Sequence, residues 1–259
     1  MSTQIHPTAI VHPNAVLATG VEIGPFCLVG ENVTINRNTK LLAHCVVNGR
    51  TTIGEDCIVH PFAAIGGPSQ DKKATAGEMS YVKIGDRCVI REYVTVNRAT
   101  GDGESTAVGD DCWLLAYTHV SHNSRIGNGV VMSNLAQLAG HCTVQDNVTI
   151  GGQAGVHQFV RIGRLAMVGG ATKLARDVPP FFLCDGSPAG IYGLNKIGLQ
   201  RAGVSLEAQA ELKEAYKILY RSNRNLSQAL AVLVDKVETP EGHELVEFLT
   251  SESKRGILK

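Results

Sequence analysis

The chain has 259 residues with 24 basic and 24 acidic side chains, so its formal net charge is zero and no global field draws in nucleic acid. At 44% hydrophobic it can bury a core. No uninterrupted apolar run approaches the roughly 20 residues of a membrane helix, and Met1-Ser2-Thr3-Gln4 opens no signal peptide, so the expectation is a soluble, cytoplasmic protein.

From the start, an aliphatic residue recurs every sixth position: Ile5, Val11, Leu17, Ile23, Val29, Ile35, Leu41, Val47, Ile53, Val59 and Ile65. Helices repeat near 3.6 residues and strands at 2, so neither explains the rhythm. A strict hexad is the mark of a parallel β-helix, in which each short strand turns a corner and sends one aliphatic inward. Three hexads make one triangular coil, so residues eighteen apart should stack about 4.8 Å from one another. Because the hexads begin at Ile5, no separate N-terminal domain is expected before the solenoid. Six of the seven cysteines (Cys27, Cys45, Cys57, Cys88, Cys112, Cys142) fall four residues after a hexad aliphatic, a second inward position that takes small residues. With an odd count and no CxxC pair, they read as small buried hydrophobes, not as disulfides or zinc ligands.

The phase breaks after Ile65 and resumes at Ile84, Ile90 and Val96, which predicts an external loop near 66–83. A second loop near 97–107 is predicted where Asp102 occupies an aliphatic position. The hexads then run unbroken from Val108 to Leu174, and Asp177-Val178-Pro179-Pro180 is expected to end them because proline cannot donate to a ladder. Gly186 to Gly193 reads as a linker. Beyond it the period becomes helical, with helices capped by Ser205, by Asn225 with Gln228 in a capping box, and by Thr239 ahead of Pro240. The expected domains are a β-helix over 1–187 and a small α-helical domain over 188–259.

The eighteen-residue rule places Thr118–Asn123 under Ala136–His141, and that stretch under Ala154–Phe159. His119, His122, His141 and His157 thus gather on one patch, with Gly140 stacked on His122. His6, His12, His44, His60 and His243 are scattered and read as surface or corner polars. Mutual repulsion on protonation gives a structural solenoid no reason to cluster imidazoles, and clustered titratable groups mark functional sites. Two chemistries fit. In one, an imidazole acts as general base and the bare glycine N–H holds an oxyanion. In the other, three histidines bind zinc and generate hydroxide, as in hexapeptide-helix carbonic anhydrases. The three stacked segments contain no Asp or Glu to back a zinc ligand, which tells against metal. A non-catalytic structural solenoid is the remaining alternative.

The hexad order, the loop Ser69-Gln70-Asp71-Lys72-Lys73, His119-Val120-Ser121-His122, Leu138-Ala139-Gly140-His141, Val156-His157-Gln158-Phe159, Asp177-Val178-Pro179-Pro180 and Asn195 to Arg201 resemble the UDP-N-acetylglucosamine acyltransferases of lipid A biosynthesis over essentially the whole chain. The resemblance implies an all-β left-handed parallel β-helix of hexapeptide repeats with a small C-terminal helical domain, assembled as a homotrimer with active sites between subunits. It implies transfer of a 3-hydroxyacyl chain from acyl carrier protein to the 3-hydroxyl of UDP-N-acetylglucosamine, the first step of lipid A biosynthesis, without a cofactor or metal. His122 matches the general base and Gly140 the oxyanion donor. Gln70, Asp71, Lys73, His119, His141, His157 and Gln158 match substrate-binding residues of the cleft, and Asn195 and Arg201 match contacts to nucleotide or carrier protein. Gly170 matches the floor of the acyl groove, where a small residue leaves room for a long chain. Two positions depart from the family. Asn123 stands where aspartate commonly follows the catalytic histidine, so it can fix the tautomer but supplies no negative charge to the imidazolium. Asn97 stands where histidine is frequent. Between Arg161 and Arg201 six basic residues (Arg161, Arg164, Lys173, Arg176, Lys196, Arg201) face Asp177 and Asp185, a candidate dock for an acidic carrier protein.

Overall fold

The computed structural model describes residues 2–259. Strands of mostly two residues follow one another around three flat faces, forming parallel sheets of 11, 9 and 8 strands, with one antiparallel strand closing the largest. The chain visits the first, second and third face in turn and winds as a left-handed parallel β-helix. The register follows the predicted spacing: Ile5 pairs with Ile23, Val120 with Leu138 and Leu138 with Val156. From Ile23 onward every hexad aliphatic is buried, and Ile53, Leu114, Leu138, Ile150 and Ile162 fully so, whereas Ile5 at the first coil is half exposed. Removing such a side chain from water stabilises by about 1.5–3 kcal/mol. All seven cysteines are buried free thiols, and Cys57 and Cys88 direct Sγ at the carbonyls of Gly85 and Gly109 (both 3.1 Å).

Register also measures the two loops. Ile58 pairs with Val89, 31 residues on instead of 18, and Thr95 pairs with His119, 24 residues on. Both insertions leave the corner between the second and third faces, at 68–80 and at 98–104. They are narrower than the sequence suggested, because Tyr81–Ile84 and Ser105–Val108 are strands of the third face. The loops hold each other: Asp102 accepts from the Met79 amide (2.7 Å) and Glu78 from the Gly101 amide (2.9 Å). Buried Asn97 ties the first loop down by donating to the Pro68 carbonyl (2.6 Å).

Two expectations at the end of the solenoid need correction. Asp177-Val178-Pro179-Pro180 does not end the sheet: Phe182–Asp185 adds another parallel strand to the first face, beside Met167 and Val168. The stretch read as a linker is largely the strand Gly190–Leu194, antiparallel to Phe182–Asp185. A sheet edge with unpaired amides is the physical reason a fresh strand forms there. The helical domain then comprises α1 (Lys196–Arg201), α2 (Leu206–Tyr220), α3 (Leu226–Val234) and α4 (Pro240–Thr250). Ser205, Asn225 and Thr239 cap α2, α3 and α4 as expected, and the Asn225–Gln228 box is complete. The short α1, capped by Asn195, was not anticipated. The C-terminal tail returns to the β-helix at Asp177, which is wholly buried and accepts from Arg161 Nε (2.7 Å) and Ser253 Oγ (2.7 Å). Among the described residues no helix is long and apolar enough to cross a membrane.

Candidate functional site

His122 lies just beyond the strand His119–Val120, at the corner between the second and third faces, immediately above the coil that carries the 98–104 loop. The residue is 9% exposed and its ring lies over Gly140: a Cβ built there would fall on Cε1 and Nε2 of the imidazole. Glycine is therefore required at 140 by close approach, not by backbone conformation. Among the described residues the Gly140 N–H has no hydrogen-bond partner.

Asn123, in the left-handed region (φ 57°), is the partner that orients the His122 ring. Its Nδ2 donates to the Thr100 carbonyl (3.1 Å), and its Oδ1 accepts from the Thr100 amide (2.9 Å). With the amide so fixed, Oδ1 also lies 3.0 Å from His122 Nδ1 and can only accept, so the proton sits on Nδ1 and the Nε2 lone pair is free. The second loop thus sets the tautomer of His122 through Asn123, as a third group does in catalytic triads.

The other imidazoles divide. His119 Nδ1 bonds the Thr95 hydroxyl (2.7 Å), and burial, then the charge of His122, pushes its pKa down. His141 meets His122 edge-on (ring centroids 5.2 Å apart) and stacks on Phe159 (4.7 Å), over which the Lys254 ammonium sits (4.6 Å). Its pKa is also lowered, chiefly by burial and then by His122 and Lys254. Both rings are therefore favoured as neutral groups. A cavity of about 580 Å³ on the second face is lined by Gln70, His119, His122, Gly140, His157, Gln158 and Lys173. His141 instead borders a separate cleft on the third face with Arg125, Phe159 and Lys254. His122 stands on the ridge between them. The four histidines are thus close, but not on one surface.

Of the remaining sequence-predicted residues, Asp71 reaches His122 and His141, with one ligating atom of each within 4.8 Å of the others. Lys73 is exposed and contributes its amide to Asp71 (3.0 Å), not its ammonium to the cavity. Gly170 sits at the corner between the first and second faces, above Gly152. Asn195 donates to the Leu165 carbonyl (2.8 Å) at the corner between the third and first faces, and Arg201 ends the helix it caps. No single chain brings these three to His122. The basic cluster also shrinks, since Arg161 is paired with Asp177 and Arg164 with Glu244 (2.8 Å). Lys173 in the cavity was not foreseen beside the histidines, although the rule that stacks His119, Gln137 and Gly155 continues to it. Lys254 carried no signal, since only the returning tail brings it near His141.

The first residues, 2–37 and 32–67, match the bacterial transferase hexapeptide repeat, and residues 177–258 match a family described as UDP-N-acetylglucosamine O-acyltransferase, domain 2. The chain is 46% identical to the acyl-[acyl-carrier-protein]–UDP-N-acetylglucosamine O-acyltransferase of Thermodesulfovibrio yellowstonii, over 99% of both chains. The UDP-N-acetylglucosamine acyltransferase structure from Francisella novicida superposes with a TM-score of 0.95 at 33% identity, covering 98% of this chain and 94% of that one. The enzyme from Bacteroides fragilis gives 0.95 at 36% identity, covering 99% and 100%.

Proposed function

The chain belongs to the UDP-N-acetylglucosamine O-acyltransferase family, and from that premise we propose how its own residues carry out acyl transfer from acyl carrier protein to UDP-N-acetylglucosamine. His122 Nε2 takes the proton of the glucosamine 3-hydroxyl as its oxygen attacks the thioester carbonyl of a 3-hydroxyacyl carrier protein. The tetrahedral oxyanion accepts from the Gly140 N–H. Collapse breaks the carbon–sulfur bond, and the imidazolium returns its proton to the departing thiolate. General-base help is worth about 10²–10⁴ in rate. An oxyanion donor adds about 10²–10³. The product enters lipid A biosynthesis at its first step.

The observation that carries this reading is the His122 ring lying on Gly140 with Asn123 holding its Nδ1 proton. Gln70, His119, His157 and Gln158 line the adjoining cavity and suit sugar and phosphate oxygens. Asp71 and His141 border the reacting centre itself. Lys73, exposed at the rim, suits a phosphate only after the loop moves.

The assembly is a homotrimer. Gly170 and Asn195 stand at corners of the prism away from His122 and Arg201 at the end of α1, so a neighbouring copy delivers them to the same cleft. There Asn195 and Arg201 contact nucleotide or carrier protein, and Gly170 leaves the acyl groove open for a long chain. Lys173, Arg176, Lys196 and Arg201 remain as a dock for the acidic carrier.

The test is an acyl-transfer assay with UDP-N-acetylglucosamine and 3-hydroxyacyl carrier protein. His122→Ala should lower kcat by about 10²–10⁴ with the melting temperature nearly unchanged. Undiminished turnover would remove His122 from the chemistry.

A further inference from the structure

The geometry points to a second use of this corner: Asp71, His122 and His141 form a binding site for one divalent transition-metal ion, Zn²⁺ above all, and the bound ion switches acyl transfer off. The binding half stands on the geometry of the three side chains, whereas the switching half rests on the reading of His122 as the base.

The three ligating atoms lie within 4.8 Å of one another. Tetrahedral zinc with bonds of about 2.0–2.1 Å holds its ligands about 3.3 Å apart. Closure by roughly 1.5 Å completes the set. Asp71 can supply that movement, since it rides on the external 68–80 loop and its carboxylate is tethered only by the Lys73 amide to Oδ1. One of its carboxylate oxygens lies within 4.8 Å of a ring nitrogen of each imidazole. No acidic residue occurs in the stacked segments that carry the histidines; the loop brings the one carboxylate the site otherwise lacks.

The surroundings suit a metal ion as well. Metal-bound histidine ordinarily donates its second ring N–H to an oxygen that fixes its orientation, and Asn123 Oδ1 does this for His122 at 3.0 Å. The His141 ring is held in place by Phe159 stacked behind it (centroids 4.7 Å apart). Two imidazoles and one carboxylate select zinc, cobalt or nickel over magnesium and calcium, which prefer all-oxygen shells. The seven thiols, the other soft donors, are buried in the core.

Switching follows from electron counting. The Nε2 lone pair that removes the substrate proton is the same pair that would coordinate the ion, and it cannot do both. Bound metal therefore leaves the base without its acceptor orbital.

Zn²⁺ titrated calorimetrically into the metal-free full-length protein should bind at one ion per chain. Co²⁺ in its place should give the strong visible absorption of a low-coordinate site. Asp71→Asn and His141→Gln should each weaken binding at least tenfold while melting as the wild type does. Inhibition of the wild type should track occupancy and reverse with chelator. Absence of saturable uptake, or uptake unchanged in both variants, overturns the site. Full occupancy with undiminished turnover overturns the switch. If His122→Ala loses metal yet keeps its activity, the catalytic reading fails and the metal site stands.

Discussion

Two corners of the same prism obey the same backbone rule and do opposite things. Between the first and second faces, Phe26, His44, Phe62, Tyr93 and Tyr117 sit one above another in left-handed conformation, their rings stacked 4.7–5.0 Å apart. Between the second and third faces, Asn123, His141 and Phe159 occupy the equivalent left-handed positions, with His122 and Gly140 one residue earlier. His44 is held between two phenyl rings and is a rung of a ladder. His122 has a bare glycine above it, an oriented partner beside it and two loops thrown out beneath it. Spacing makes both corners; what stands eighteen residues away decides whether an imidazole is stacked between rings or lies over a bare glycine.

The sharpest way to break the contrast is Gly140→Ala, which gives the corner at His122 the side chain that an ordinary corner carries. The new methyl must displace the His122 ring, and kcat is expected to fall by about 10²–10³, read in the acyl-transfer assay. Activity within a few-fold of wild type would mean the ring does not need its place over the glycine. Asn123→Asp restores a carboxylate beside the imidazole. An anion there favours the protonated ring, so the acidic limb of the kcat/KM profile should move to higher pH. The same change removes the donor to the Thr100 carbonyl, so stability should drop by about 1–3 kcal/mol in denaturant melts. An unmoved limb would show that Asn123 does not orient the base.

At the other corner, Tyr93→Ala removes two stacked contacts, at 5.0 Å to Phe62 and 4.7 Å to Tyr117. It should cost about 1–2 kcal/mol of stability and leave kcat untouched. A loss of turnover would mean that the ladder reports to the site.

The smallest effect concerns acid. His119 and His141 have lowered pKa values in the folded chain, so below the ordinary histidine pKa the unfolded state binds more protons than the native one. Stability therefore rises with pH through that region and is lost on acidification below about 6.5. His119→Gln should flatten this slope in melts between pH 5 and 7; an unchanged slope would mean that His119 does not contribute to it.

Much of the site was legible because a solenoid makes long-range contacts periodic. The pairing of His122 with Gly140 is a three-dimensional contact, yet eighteen residues predict it as surely as four predict a helical neighbour. The caps at Ser205, Asn225 and Thr239 were legible for a more local reason, since each bonds an amide three residues on. His141 was only half legible: its height along the prism follows from spacing, but its turn toward the third face does not.

Amino-acid order by itself determined the coil, its phase, the two points where loops leave it and the column that sets an imidazole on a bare amide. Tertiary structure alone decided that Asp71 swings in beside two histidines and that Arg161 and Arg164 are spent on Asp177 and Glu244. It also decided that the tail returns to lay Lys254 over Phe159. The reason is physical. A repeating backbone fixes which residues stack at a constant separation, whereas an inserted loop, or a tail that returns over 76 to 90 residues, closes by side-chain pairing that leaves no period in the chain.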